Sequence, residues 1–175
     1  MLKRGICLLL ITIICTVSLC GCQNSGIEYN IGFSDKVVFG SKEAENGGIT
    51  VGLRVIVKSF NELRDLCEEW SNPAFEEDND GYGSELSEKI RGYNEEFFEN
   101  KTLIINSSVL YNSAREPRVE KLTIEGDELI IEISLKRGTY NDIAESWLFI
   151  IEVNQTDIQG ITNISIENTT RSKYQ

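Results

Sequence analysis

Fifteen residues in succession, Gly5 to Leu19, carry no charge, and only Thr12, Thr16 and Ser18 among them are polar. Lys3 and Arg4 stand just before them. A short basic region followed by an apolar run of this length has the pattern of a secretory signal, and it falls short of the ~20 apolar residues that a membrane span needs. The segment predicts export, and the positive-inside rule places the bulk of the chain outside whether or not it is cut.

The run ends in Leu19-Cys20-Gly21-Cys22. A signal peptidase needs a small residue before the scissile bond; Gly21 supplies one for Cys22, whereas Leu19 precedes Cys20. This pattern resembles the bacterial lipobox, which implies a cut before Cys22, a lipid (palmitate class) carried by Cys22, and a place on the extracytoplasmic face of the cell membrane. The expected division is a signal peptide over 1–21, a polar tether over 22–30, one domain over 31–168 and a polar tail over 169–175. A flexible tether of that length spans about 15 Å on average.

Removing residues 1–21 leaves about 154 residues, enough to bury a core without disulfide or metal support. Cys7, Cys15 and Cys20 leave with the signal and Cys22 takes the lipid, so Cys67 has no partner for a disulfide. It falls on the apolar face of an expected helix and reads as a buried core thiol. Losing Lys3 and Arg4 leaves 15 basic against 28 acidic side chains, a net charge of −13. Nucleic acid is excluded as a partner by that charge, which also repels anionic headgroups within a Debye length of about 8 Å.

Lys36 to Phe39 has the content of a short strand, and Ser41 to Gly48 reads as a charged loop. From Ile49, the residues Ile49, Val51, Leu53, Val55 and Val57 recur at every second position, the period of a half-buried strand. Ser59 and Glu62 stand at capping-box spacing ahead of a helix carrying Phe60, Leu63, Cys67 and Trp70 on one face, with Pro73 closing it. Ser71 to Ser84 reads as an exposed acidic loop. Leu86, Ile90, Tyr93 and Phe97 return to helical spacing, and Gly92 predicts a split into two short helices.

Strands follow. Leu103 to Tyr111 at its start and Trp147 to Val153 throughout are apolar on both faces, Val119 to Ile124 and Leu129 to Leu135 flank a Gly126-Asp127 turn, and Ile161 to Ile166 is the last. Leu129, Ile131, Ile133 and Leu135 are expected to face the core, with Glu132, Ser134 and Lys136 outward. Strand, helices and a run of strands predict an α+β domain: a mainly antiparallel sheet with two or three helices packed on one face.

The chain has no histidine. That excludes nucleophiles activated by imidazole, the zinc-protease helix and histidine proton shuttles. Neither a P-loop nor a dinucleotide fingerprint is present. With 28 acidic residues a carboxylate pair is uninformative, although a small carboxylate hydrolase is one alternative. Glu76, Asp78, Asp80 and Gly81 match positions one, three, five and six of a calcium loop, but Ser87 stands where a bidentate glutamate belongs. These three acids are the candidate metal ligands, with calcium the candidate ion. Asn100, Asn106, Asn154, Asn163 and Asn168 open Asn-x-Ser/Thr triplets that carry no glycan implication in a bacterial lipoprotein. Trp70, Trp147, Tyr93, Phe97 and Phe98 fit core spacing better than a binding groove.

Tyr93-Asn94-Glu95-Glu96-Phe97-Phe98 through Lys101-Thr102-Leu103-Ile104-Ile105, the hairpin at Gly126, and Trp147-Leu148-Phe149-Ile150-Ile151-Glu152-Val153 together resemble the C-terminal domain of the protease-complex subunit PrcB family and small clostridial lipoproteins of that layout. The resemblance covers less than half of the chain beyond Cys22. It implies an accessory or chaperone role beside an exported protease. Arg118-Val119-Glu120 replaces the family's Gly-Gly-Tyr type strand start, and Lys136-Arg137-Gly138-Thr139-Tyr140 its proline-glycine loop, so no functional residue carries over.

The sequence thus predicts a non-enzymatic envelope lipoprotein, anchored through Cys22, that binds another exported protein such as a protease. The other reading is a ligand or cation binder using the acidic loop 76–85. Oligomeric state is not encoded in any motif.

Overall fold

A computed structural model describes residues 26–44, 47–111, 117–136 and 144–171. The signal segment, Cys22 and the end of the tail lie outside the described residues. Three layers are present, helices on a four-stranded sheet on a three-stranded sheet.

The middle layer has the order β1-β8-β5-β4, all antiparallel, from β1 (Tyr29–Asp35), β8 (Ala144–Asn154), β5 (Lys101–Tyr111) and β4 (Leu53–Val57). Because side chains alternate across a strand, Leu103, Ile105, Leu148 and Ile150 enter the core beneath the helices. Ile104, Phe149, Ile151 and Val153 enter a second core on the opposite face. This is why β5 and β8 are apolar on both faces.

The second core is closed by β6 (Pro117–Glu125), β7 (Glu128–Lys136) and β9 (Asn163–Arg171). β6 and β7 form the expected hairpin, with Gly126 at φ 67° in the turn. The expectation of one mainly antiparallel sheet is met by its class and refined in its count: β9 runs parallel to β7, and the strands divide among sheets. Leu129, Ile131 and Ile133 are buried as expected. Ser134, expected outward, is also buried, and donates to the Glu120 carboxylate from the neighbouring strand.

The helical layer comprises α1 (Phe60–Glu69), α2 (Glu85–Arg91) and α3 (Glu95–Phe98). Ser59 caps α1 through its hydroxyl, which accepts from Glu62 N at 3.1 Å, while the Glu62 carboxylate accepts from Lys58 N at 2.7 Å. Ser71, at φ 48°, turns the chain out of α1, and Asn72 N reaches back to Cys67 O at 2.8 Å. The split at Gly92 is present.

Some boundaries differ from expectation. The strand begun at Ile49 breaks at Val51 and Gly52: Ile49–Thr50 (β3) pairs with Lys42–Glu43 (β2), and Ile49 is 77% exposed. Lys36 to Phe39 is not a strand; it crosses over the end of α1, burying Phe39, whose carbonyl accepts from the Asn72 amide. Tyr29 and Asn30, expected in the tether, open β1, and Thr169 to Arg171, expected in the tail, complete β9.

Candidate functional site

Cys22, to which the sequence assigns the lipid, precedes the described residues, and the structure shows where the chain it would anchor enters the fold. Ile27 N donates to Leu122 O at 2.9 Å, and Tyr29 Oη to Val119 O at 3.0 Å. Both acceptors lie on β6, so the chain arrives along the outer edge of that strand. At the opposite lateral edge Arg54, on β4, donates to Ile164 O of β9 at 3.1 Å. The two sheets are thus stacked with β1 beside β6 at one edge and β4 beside β9 at the other.

β9 is the terminal strand of its sheet, and among the described residues no strand pairs with its outer side. Asn163 N donates to Asp127 O at 3.3 Å, toward the β7 side, whereas the Ile164 carbonyl meets Arg54 on the outer side. By strand alternation Ile166 and Asn168 also direct their backbone groups outward. The result is a run of main-chain donors and acceptors suited to an added strand, guarded at its start by a cation.

The acidic loop is more ordered by its own contacts than the sequence suggests. Pro73–Phe75 and Asp80–Gly83 are short 3-10 helices, capped by the side chains of Asn72 and Asn79. Arg91 holds both: its Nη1 donates to Ala74 O at 2.9 Å and Tyr82 O at 2.7 Å, and its guanidinium lies 3.8 Å from the Tyr82 ring centre. Ser87, standing where a calcium loop needs its glutamate, donates to Gly81 O at 2.8 Å. Glu76 accepts from the Asn79 amide at 3.1 Å. Gly81 is not at positive φ; a side chain there would meet Pro73 Cγ at 2.6 Å. Among the described residues no group of three or more acidic or thiol side chains is gathered to hold a metal, so Glu76, Asp78 and Asp80 are not brought together.

One cleft, of about 680 Å³, lies along α1 and is lined by Arg64, Asp65, Glu68 and Glu76 beside Phe75; a second, of about 350 Å³, runs between Val37, Val38 and Leu86 at the start of α2. Cys67 borders the first but is itself only 2% exposed, and burial pushes its thiol up to about 12. A nucleophilic cysteine needs the opposite shift. Trp70, Tyr93 and Phe98 are buried in the core beneath the helices, where Phe97 packs against them, and Trp147 is buried in the second core, in keeping with their spacing.

One polar constellation had no sequence signal. Tyr93 Oη and Lys89 Nζ both reach Glu152 Oε1, at 2.9 and 3.3 Å, inside the layer between α2 and β8. Burial first, and then the hydrogen bond and charge of Glu152, raise the Tyr93 hydroxyl far above the ordinary phenol range. The cluster ties the helices to the sheet.

No protein-family model matches the chain, and no curated protein or solved structure shows significant similarity to it.

Proposed function

We propose that the chain is a lipid-anchored, non-enzymatic envelope protein that binds another exported protein, a protease among the candidates, by accepting an extended segment along β9. The observation that carries this reading is the outer side of β9, nine residues long and without a paired strand among the described residues. Strand addition draws its affinity from main-chain hydrogen bonds and its register from alternate side chains, so it asks for no catalytic group. The export pattern that ends at Cys22 supplies the address, and the resemblance to the PrcB family supplies the class of partner.

The test is a pull-down from membranes with the lipidated protein as bait. A partner recovered in stoichiometric amount supports the reading, and repeated recovery of none overturns it.

A further inference from the structure

We infer that the domain sits on its membrane in one orientation, with the β6 side of the outer, three-stranded sheet turned to an anionic bilayer and the helical layer on the far side. The inference rests on the lipid anchor at Cys22.

Two independent observations converge. The first is length. Cys22 is five residues from Ile27, where the chain is bonded to β6, and an extended chain covers at most ~3.6 Å per residue, about 18 Å in all. The β6 edge therefore cannot leave the headgroup region by more than that distance. The β9 edge of the same sheet lies two strand spacings, about 10 Å, farther along.

The second is charge. Residues 60–100, which contain all three helices and the acidic loop, hold thirteen acidic and three basic side chains, a net −10. Strands β6, β7 and β9 hold five acidic and four basic, a net −1. Most of the −13 of the mature chain thus sits in one outer layer, and the strands through which the tether enters are near neutral. An anionic surface repels the helical layer and leaves the β6 edge almost unaffected. The tether and the field select the same face, and both leave the outer side of β9 and the cleft beside α1 free for a partner.

Depth-dependent quenching tests this on the full lipidated protein in phosphatidylglycerol-rich vesicles carrying a nitroxide on the lipid headgroup. Single cysteines for a fluorophore replace exposed glutamates, Glu28→Cys and Glu125→Cys on the β6 side, Glu68→Cys and Glu96→Cys on the helical layer. Each change removes one negative charge, and buried Cys67 does not compete for the label. Quenching at Glu28→Cys and Glu125→Cys is expected to exceed that at Glu68→Cys and Glu96→Cys at least twofold. Equal quenching, or the reverse order, in protein that floats with the vesicles overturns the orientation alone. Protein that carries no lipid and fails to float overturns the anchor, and the orientation with it.

Discussion

Tyr93 donates its hydroxyl hydrogen to Glu152 Oε1 at 2.9 Å, passing β1 at the one position, Gly32, that has no side chain to block it. Lys89 completes the cluster, its ammonium 3.3 Å from the same carboxylate oxygen and 5.1 Å from the Tyr93 ring centre. A buried hydrogen bond to a charged acceptor contributes about 1.5–3 kcal/mol. Tyr93→Phe is expected to lower the unfolding free energy by about that amount in a urea titration. Glu152→Gln, which keeps an acceptor, costs less.

Gly32→Ala probes the same contact from the other side. A methyl group there would sit 2.7 Å from Glu152 Oε1 and closer still to the Tyr93 oxygen. Overpacking of this kind costs about 1–3 kcal/mol. In a Tyr93→Phe background the penalty shrinks, because the nearest clashing atom is gone. A double-mutant cycle reads this as a coupling of at least ~0.5 kcal/mol.

Alkaline pH weakens the fold through two groups whose folded pKa values are raised. Cys67 ionises near 9.0 when unfolded and about 12 when folded, so its contribution is intact below pH 9 and is lost as pH rises toward 12. The slope is up to about 1.4 kcal/mol per pH unit. Tyr93 has the same sign and adds to the loss above pH 10. Denaturation curves from pH 7 to 11 should show Cys67→Ala less stable at neutral pH yet flatter above pH 9.

Arg91 is the strap of the acidic loop. Arg91→Met removes two hydrogen bonds to carbonyls and the stacking on Tyr82, and local opening should become easier by at least ~1.4 kcal/mol. A glutamate-specific protease is then expected to cut after Glu76 or Glu77 at least tenfold faster. Arg91→Lys rescues only in part, since one ammonium can reach the carbonyls but cannot lay a planar group on the Tyr82 ring.

Local periodicity was enough to locate β5, β8, the β6–β7 hairpin and the faces of α1 and α2, because each depends on neighbours within one turn or one pleat. The double-sided apolar pattern of β5 and β8 already required cover on both faces. What supplied the second cover was not legible: β9 pairs in parallel with residues 35 positions earlier, a choice made by tertiary packing. β1 was hidden by its polar composition, with Asn30, Gly32, Ser34 and Asp35 among its residues, although all of it but Gly32 is in register with β8. The Tyr93–Glu152–Lys89 cluster joins positions up to 63 residues apart, and none of its members is unusual where it stands. The closure of the acidic loop was not legible either: Arg91, Ser87 and Asn79 hold it through the carbonyls of Ala74, Tyr82 and Gly81 and the Glu76 carboxylate, contacts that no local spacing announces.

The central claim is tested most directly by comparing the lipidated protein with Asn168→Pro as baits in membrane pull-downs. Asn168 is exposed, its N–H lies on the outer side of β9, and proline is tolerated at such an edge position. Loss of that donor, with the folded domain retained by circular dichroism, is predicted to reduce recovery of the exported partner at least tenfold. Equal recovery by both baits would contradict strand addition at β9.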